Sequence, residues 1–332
     1  MLKQIRWKIW IVIFAVLVML GISYYYGVVR EAPDKVTDFY SVVLYQHKDN
    51  EWATLYEGIR QAEEDFKVKV NYFTMGENDT AEDQVSLIER EVNAGSSGIL
   101  FAAVDSAEVE TLLGEKHIQV PLIAVETGAG DNYVNITADN YKMGQALGNK
   151  IAEDIKQDNL NEKYRLVTVV TEYMERDSVQ QRYEGLVDAL EESGENIRIQ
   201  NIFRQKGDFS LRLLIGTSFN NSGRYMAALD KYATEEAAAA WESKRSLFEP
   251  HGVGIRVYGI GNTAQTVNDL DNEKLWALVY QNEFNMGYLG IQALVHKDKK
   301  GWIDEQFAIK YKLVTRETLY ESENERLLFP SI

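Results

Sequence analysis

The 332-residue sequence contains no cysteine. That excludes disulfides, thiolate metal sites, a cysteine nucleophile and a lipid-modified cysteine anchor. It also fits an oxidising compartment outside the cytoplasm. Positive charge is scarce: 35 Lys and Arg stand against 51 Asp and Glu, a formal net charge of −16. Such a surface repels phosphates, and no basic patch occurs beyond the first residues, so nucleic acid is excluded as a partner. The four histidines, His47, His117, His251 and His296, are scattered without metal-ligand spacing, so no metal site is expected. No G-x-x-x-x-G-K-[ST] run and no G-x-S-x-G elbow occurs. Gly259-Ile260-Gly261 lacks the third glycine of a dinucleotide fingerprint. Neither a cofactor nor a catalytic residue is therefore assigned.

One long apolar run is present. Lys3, Arg6 and Lys8 precede IWIVIFAVLVMLGISYYYGVV, residues 9–29, which carries no charge. Its length matches the ~20 residues of a membrane span. Aromatics flank it, and the basic side precedes it, which predicts a single-pass membrane anchor with the body outside the cytoplasm. A cleaved signal peptide is the other reading, with Gly21 and Ser23 as a small-x-small site. On the anchor reading, residues 1–29 are the membrane segment and 30–38 a linker.

The rest alternates between apolar strand-like runs and helical periodicity. YSVVLY at 40–45, GILFAA at 98–103, PLIAV at 121–125, RLVTVVT at 165–171 and YMAAL at 225–229 read as buried strands. Helical segments at 50–66, 80–93, 140–155, 179–192, 234–246 and 285–295 fall between strands. A last strand is expected at 307–314, and GTSFNNSGR at 216–224 reads as a surface loop. The alternation predicts an α/β protein with parallel sheets and helices on both faces. An echo suggests two similar lobes: Leu55-Tyr56-Glu57-Gly58-Ile59 recurs as Arg182-Tyr183-Glu184-Gly185-Leu186. A mid-helix glycine costs about 1 kcal/mol against alanine, so close packing of helix on sheet is expected there.

Ligands of parallel α/β sheets bind beyond strand C-termini. Polar and aromatic residues collect there. The first strand leads to Asp49 and Trp52, the third to Asp105, and the fourth to Glu126-Thr127. In the second half, strands lead to Tyr173, Arg176 and Gln180, to Asp230-Lys231-Tyr232, to Asn262 and to Gln281. Fork-like hydrogen bonders beside aromatic rings suit a polyhydroxylated ligand.

In YSVVLYQHKDNEWATLYEGIRQAEED, ILFAAVDSAEV, VPLIAVET with NITADNYKMGQALG, AALDKYATEEAAAAW, and VYGIGNT with LVYQNEFNMGYLGIQAL, the sequence resembles the type I periplasmic solute-binding proteins of the ribose/galactose branch, relatives of LacI-type repressor cores. The resemblance implies two doubly wound lobes, 39–138 plus 283–308 and 139–282 plus 309–325. It places ligand contacts on Asp49, Trp52, Asp105, Thr127, Gln180, Asp230, Gly261 and Gln281. Trp52 would be a stacking ring. Three positions depart from the pattern. Gln180 stands where the first arginine of R-x-R-x-x-G is expected, Asp230 replaces an asparagine, and Gly261 replaces an aspartate. Arg176 is then the candidate replacement guanidinium. The implied function is a tethered binding protein that closes around a small polar solute, a sugar by type, and serves an ABC permease or a sensor histidine kinase. A LacI-type regulator is disfavoured because no DNA-binding helix-turn-helix precedes the body. A cleft enzyme is the third class.

Overall fold

The computed structural model describes residues 7, 14–22, 38–45, 51–76, 78–130, 132–158, 163–205, 207–219, 223–248, 254–296 and 309–324. The chain divides into two units, Met1–Asp38 and Phe39–Ile332. In the first, residues 14–22 lie in an α-helix, α1, whose apolar side chains Phe14, Leu17, Met19 and Leu20 are exposed. Among the described residues no helix is long and apolar enough to cross a membrane. The rest of the apolar run, 9–13 and 23–29, lies outside the described residues, as does the linker up to residue 37.

The second unit opens with β1 (Phe39–Tyr45), α2 (Ala53–Phe66), β2 (Lys69–Met75), α3 (Ala81–Asn93), β3 (Ile99–Phe101), α4 (Ser106–Gly114), β4 (Leu122–Val125) and β5 (Val134–Ile136). These strands form one parallel sheet, ordered β2-β1-β3-β4-β5. The apolar run of β1 is buried on both faces, as a central parallel strand demands. The chain continues through α5 (Asn140–Asp158), β6 (Arg165–Thr171), α6 (Asp177–Glu192), β7 (Ile197–Phe203), α7 (Leu211–Ser218), β8 (Tyr225–Ala228), α8 (Lys231–Phe248), β9 (Arg256–Ile260), α9 (Ala264–Asp271) and β10 (Ala277–Gln281). It closes with α10 (Glu283–Val295) and β11 (Tyr311–Val314). The second sheet runs β11-β10-β9-β8-β6-β7. Helix α10 returns to the first lobe, where it packs on α2 and beside β3, β4 and β5.

Three details depart from the sequence reading. Strand β11 runs antiparallel to β10, with Leu278 opposite Val314, so the second sheet is mixed rather than all-parallel. The loop expected over 216–224 begins inside α7, which buries Leu211 and Ile215 one turn apart. Helix α9, capped by Thr263 through the Thr266 amide, had no counterpart in the periodicity.

The echoed glycines sit at helix crossings, not against the sheet. A Cβ on Gly58 would lie 1.9 Å from the Phe284 carbonyl oxygen of α10. A Cβ on Gly185 would lie 1.9 Å from that of Tyr141 in α5. Each partner helix answers with its own glycine: Gly287 meets the Leu55 oxygen at 2.2 Å, and Gly144 meets that of Arg182 at 2.0 Å. The two lobes thus share one device, a glycine-to-glycine crossing of two helices.

Candidate functional site

A cleft whose space outside the protein atoms, open solvent included, is about 440 Å³ lies beyond the C-terminal ends of the parallel strands, between the lobes. Tyr45, Glu51, Glu126 and Glu283 line it from the first lobe. Tyr173, Arg176, Arg182, Asp230, Lys231, Tyr232, Asn262 and Gln281 are among those that line it from the second. Strand ends deliver Tyr45, Glu126, Tyr173 and Gln281, and helix N-termini deliver Lys231 and Glu283.

Glu126 is its electrostatic centre. It follows β4 with φ 66°, left-handed backbone that a non-glycine residue adopts only at a cost. The turn is held by the bridge between Val125 and Thr127. Its carboxylate takes a bond from Arg182 Nη2 at 2.8 Å and from the Tyr45 hydroxyl at 2.7 Å, and the Ser178 hydroxyl approaches at 3.4 Å. Arg182 is further fixed by Asn140 Oδ1 at 2.8 Å and the Leu229 carbonyl at 3.2 Å. Burial alone would push the Glu126 carboxyl up. Arg182, the Tyr45 hydroxyl, Lys231 and Arg176 outweigh it and hold the group below the usual glutamate range. Tyr45 itself is pushed up, by burial first and then by the Glu126 charge.

A second pair lies alongside. Lys231 Nζ meets Glu283 Oε1 at 2.8 Å and donates to the Glu51 carbonyl at 3.1 Å. Burial would lower the Lys231 pKa, but Glu283 and Glu51 raise it overall. With its amide nitrogen turned inward, Asn262 donates to Glu283 Oε1 at 3.1 Å. Asp230 accepts from the Thr171 hydroxyl at 2.6 Å and, as the cap of α8, from the Ala233 amide at 2.7 Å. Burial still pushes its carboxyl up.

Arg176 is held differently. Its guanidinium carbon lies 3.4 Å from the Tyr45 ring centroid and 3.7 Å from that of Tyr173, a double cation–π sandwich. Stacking occupies the guanidinium faces, and the Nε–H donates to the Val104 carbonyl at 3.5 Å.

Of the ten residues proposed from sequence, Tyr173, Arg176, Asp230, Asn262 and Gln281 meet at this cavity. Trp52 does not face it. The indole is 1% exposed, donates to the Tyr45 carbonyl and carries Lys231 Nζ 4.3 Å above its ring, so it backs the site as a core residue. Thr127 is buried beneath the cavity beside Ser106, at 3.4 Å between hydroxyls. Asp105 caps α4 by accepting from the Glu108 amide at 2.9 Å. Gln180 is exposed and donates to the Met174 carbonyl at 2.7 Å. Asp49 lies outside the described residues. Arg182, the second arginine of that pattern, lines the cavity together with Arg176. Sequence reading does not mark Arg182 and Glu283 as site residues, and it names Glu126 and Lys231 only as strand-end neighbours of Thr127 and Asp230. Glu126 stands one position before the chosen Thr127, and Arg182 lies within the echo read as packing.

Two α/β lobes bring convergent polar groups together at their shared strand ends, the place where parallel α/β sheets hold ligands. The model of the periplasmic binding protein domain matches residues 40–300, and the chain belongs to that family. It is a family of type I solute-binding proteins rather than enzymes, and membership implies a place outside the cytoplasm. No curated protein matches the sequence. Among solved structures, the chain is similar to a carbohydrate transporter solute binding protein from Agrobacterium radiobacter in complex with D-arabinose. Identity there is 19% over 89% of this chain and 100% of that one, with a TM-score of 0.78. An ABC transporter solute binding protein from Burkholderia graminis, also with D-arabinose, shares 13% over 87% and 99%, TM-score 0.73. A chain of the XylFII-LytSN complex shares 15% over 84% and 98%, TM-score 0.67. At these identities the likeness concerns the fold.

Proposed function

We propose that the protein is a membrane-tethered, extracytoplasmic binding protein for a small neutral sugar. It presents the occupied or empty state to an ABC permease or to a membrane sensor kinase. One observation carries the reading: the cleft sets three cations, with Asp230 beside them, on one jaw against Glu126 and Glu283 on the other. An anionic solute would face Glu126 and Glu283 unfavourably, and a cationic one would face Arg176, Arg182 and Lys231. A hydroxyl both accepts and donates, so a neutral polyol can bridge the two. Tyr45, Tyr173 and Tyr232 add ring faces for sugar C–H groups. Two of the similar structures hold D-arabinose, which agrees with this choice. The lobes are taken as 39–138 plus 283–308 and 139–282 plus 309–325.

A melting-temperature panel of pentoses, hexoses, sugar acids, amino acids and nucleosides tests this. A saturating solute at 100 times its Kd adds about 2.7 kcal/mol, which is readily seen as an upward shift. A shift confined to neutral sugars is expected; a panel without any response, or one answering only to charged solutes, overturns the assignment. The tether rests on the uncharged run 9–29. Expressed with that run, the chain is expected in the membrane fraction, and without it in the soluble fraction. Equal partitioning of both forms would remove the anchor.

A further inference from the structure

The second sheet gathers arginines from four separate stretches of an acidic chain. They stand at the starts of its parallel strands, the end of the lobe away from the cleft. Arg165 opens β6, Arg198 is the second residue of β7, Arg224 immediately precedes β8, and Arg256 opens β9. These four strands are adjacent, in the order β9-β8-β6-β7. The first sheet carries no such row: its strands open on Phe39, Lys69, Ile99, Leu122 and Val134. The row is thus no requirement of the fold, and in a chain of net charge −16 it reverses the sign locally.

Register divides the row. Leu166 lies opposite Arg198, and Val167 opposite Tyr225, which puts Arg224 level with Leu166. Arg198 and Arg224 therefore flank one residue on the same face of the sheet, two strand spacings or roughly 9–10 Å apart. Arg198 is exposed and Arg224 half-buried, and among the described residues neither forms an ion pair. The Arg198 guanidinium carbon lies 3.9 Å from the ring centroid of Tyr164, itself 37% exposed. That cation–π contact restrains the side chain without neutralising it. By the two-residue alternation, Arg165 and Arg256 fall on the other face. Arg165 is buried, and Arg256 is held by Asp158 at 2.9 Å and lies 4.3 Å over Trp276, so both lend charge rather than contacts.

We infer that Arg198, Arg224 and Tyr164 form a docking point, separate from the cleft, for an acidic segment of a partner protein. Arginine and tyrosine are the residue types that anchor protein interfaces, and guanidinium groups take carboxylates in forked pairs. A polyproline-II segment returns to the same side every three residues, roughly 9 Å along its axis, which matches the separation of the two arginines. A lipid surface fits less well, because Arg198 covers the Tyr164 ring that would have to enter the acyl boundary.

The test uses the full chain in detergent and a fluorescein-labelled peptide with glutamate at every third position between prolines. A chain of net charge −16 repels such a peptide, so binding seen by anisotropy at low salt, and lost as salt is raised, requires a local site. Arg198→Glu with Arg224→Glu is expected to weaken binding about tenfold or more, as loss of even one charge-assisted hydrogen bond would. Arg198→Gln with Arg224→Gln serves if the reversed variant does not fold. Arg60→Glu with Arg90→Glu changes the net charge equally at exposed positions of the first lobe, and is expected to leave binding nearly unchanged. A peptide that does not bind, binding that survives the reversal, or equal loss in both double variants overturns the docking point. Stronger displacement by soluble dihexanoyl phosphatidylglycerol than by unlabelled peptide would make it a headgroup site and overturn the protein partner. None of these readings involves the cleft, so they stand apart from the sugar assignment and its melting panel.

Discussion

Gly185→Ala is expected to destabilise the body by up to about 2 kcal/mol net, read as a lower urea midpoint. Alanine would gain roughly 1 kcal/mol in helix propensity. Against this stands a Cβ placed 1.9 Å from the Tyr141 carbonyl oxygen and 3.0 Å from the Gln145 nitrogen, all backbone. A flexible side chain could swing aside, but a helix backbone cannot, so α5 and α6 must separate. Overpacking of this kind costs about 1–3 kcal/mol or more, and separation also loosens the contacts of Leu147, Ile151 and Leu186 in the core. Gly58→Ala is expected to do the same in the other lobe, where the obstacle is Phe284 of α10. Gly216→Ala gives the opposite sign: that helical glycine has nothing within 4 Å, so propensity alone acts and stability rises by up to about 1 kcal/mol. Equal effects at Gly185 and Gly216 would contradict the crossing geometry.

Glu126→Gln is expected to cost about 3–5 kcal/mol, because it leaves the Arg182 guanidinium buried against a neutral group. Arg182 cannot relax away, being tied to Asn140 and Leu229 within its own lobe. The pair Glu126→Leu with Arg182→Met is expected to recover most of the loss, since two apolar side chains leave no uncompensated charge. A Glu126→Gln protein as stable as the parent would show that the pair carries no net charge interaction. The same carboxylate sets an acid limit. Its pKa is lowered on folding, so the unfolded chain takes up the proton first. The stability it brings is present above the ordinary glutamate range near about 4.3 and is lost as pH falls through and below it. Asp230, whose pKa is raised, works the other way: its contribution is present at low pH and fades as pH climbs through its folded value. Melting followed from pH 7 downward is therefore expected to fall below about pH 4 in the parent and to fall less steeply in Glu126→Gln.

The strand–helix alternation could be read directly because burial on both faces writes continuous apolar runs such as that of β1. The direction of β11 could not, since its partner lies across the whole of α10 and no turn chemistry connects them. Helix α7 was obscured by Gly216, Thr217 and Ser218, which read as turn residues while Leu211 and Ile215 anchor the turn before them. In the cleft, positions after strand ends were visible because topology alone selects them. Arg182 and Glu283 were not, as each sits on a helix where a charged residue looks like a solvated face, and its partner is more than 50 positions away or on another lobe. Trp52 misled for a related reason: an aromatic in a polar loop suggests a stacking ring, but the chain folds the indole back onto Tyr45, edge to face at 5.1 Å.

The return of α10 to the first lobe has a consequence in time. Strands β1 to β5 are all made by residue 136, yet the helix that covers α2 spans Glu283–Val295. Until it arrives, Leu55, Ile59 and Leu100 lack their neighbours Met286, Ile291 and Leu294. As the chain emerges in sequence order, the first lobe therefore waits half-covered while nearly all of the second is synthesised. Contacts that span more than 200 positions form late, because loop closure must precede them. Emerging from an export channel, the second lobe would have every strand but the edge strand β11 before the first lobe receives α10. In that interval its uncovered helix face is the segment most exposed to aggregation or to capture by a chaperone.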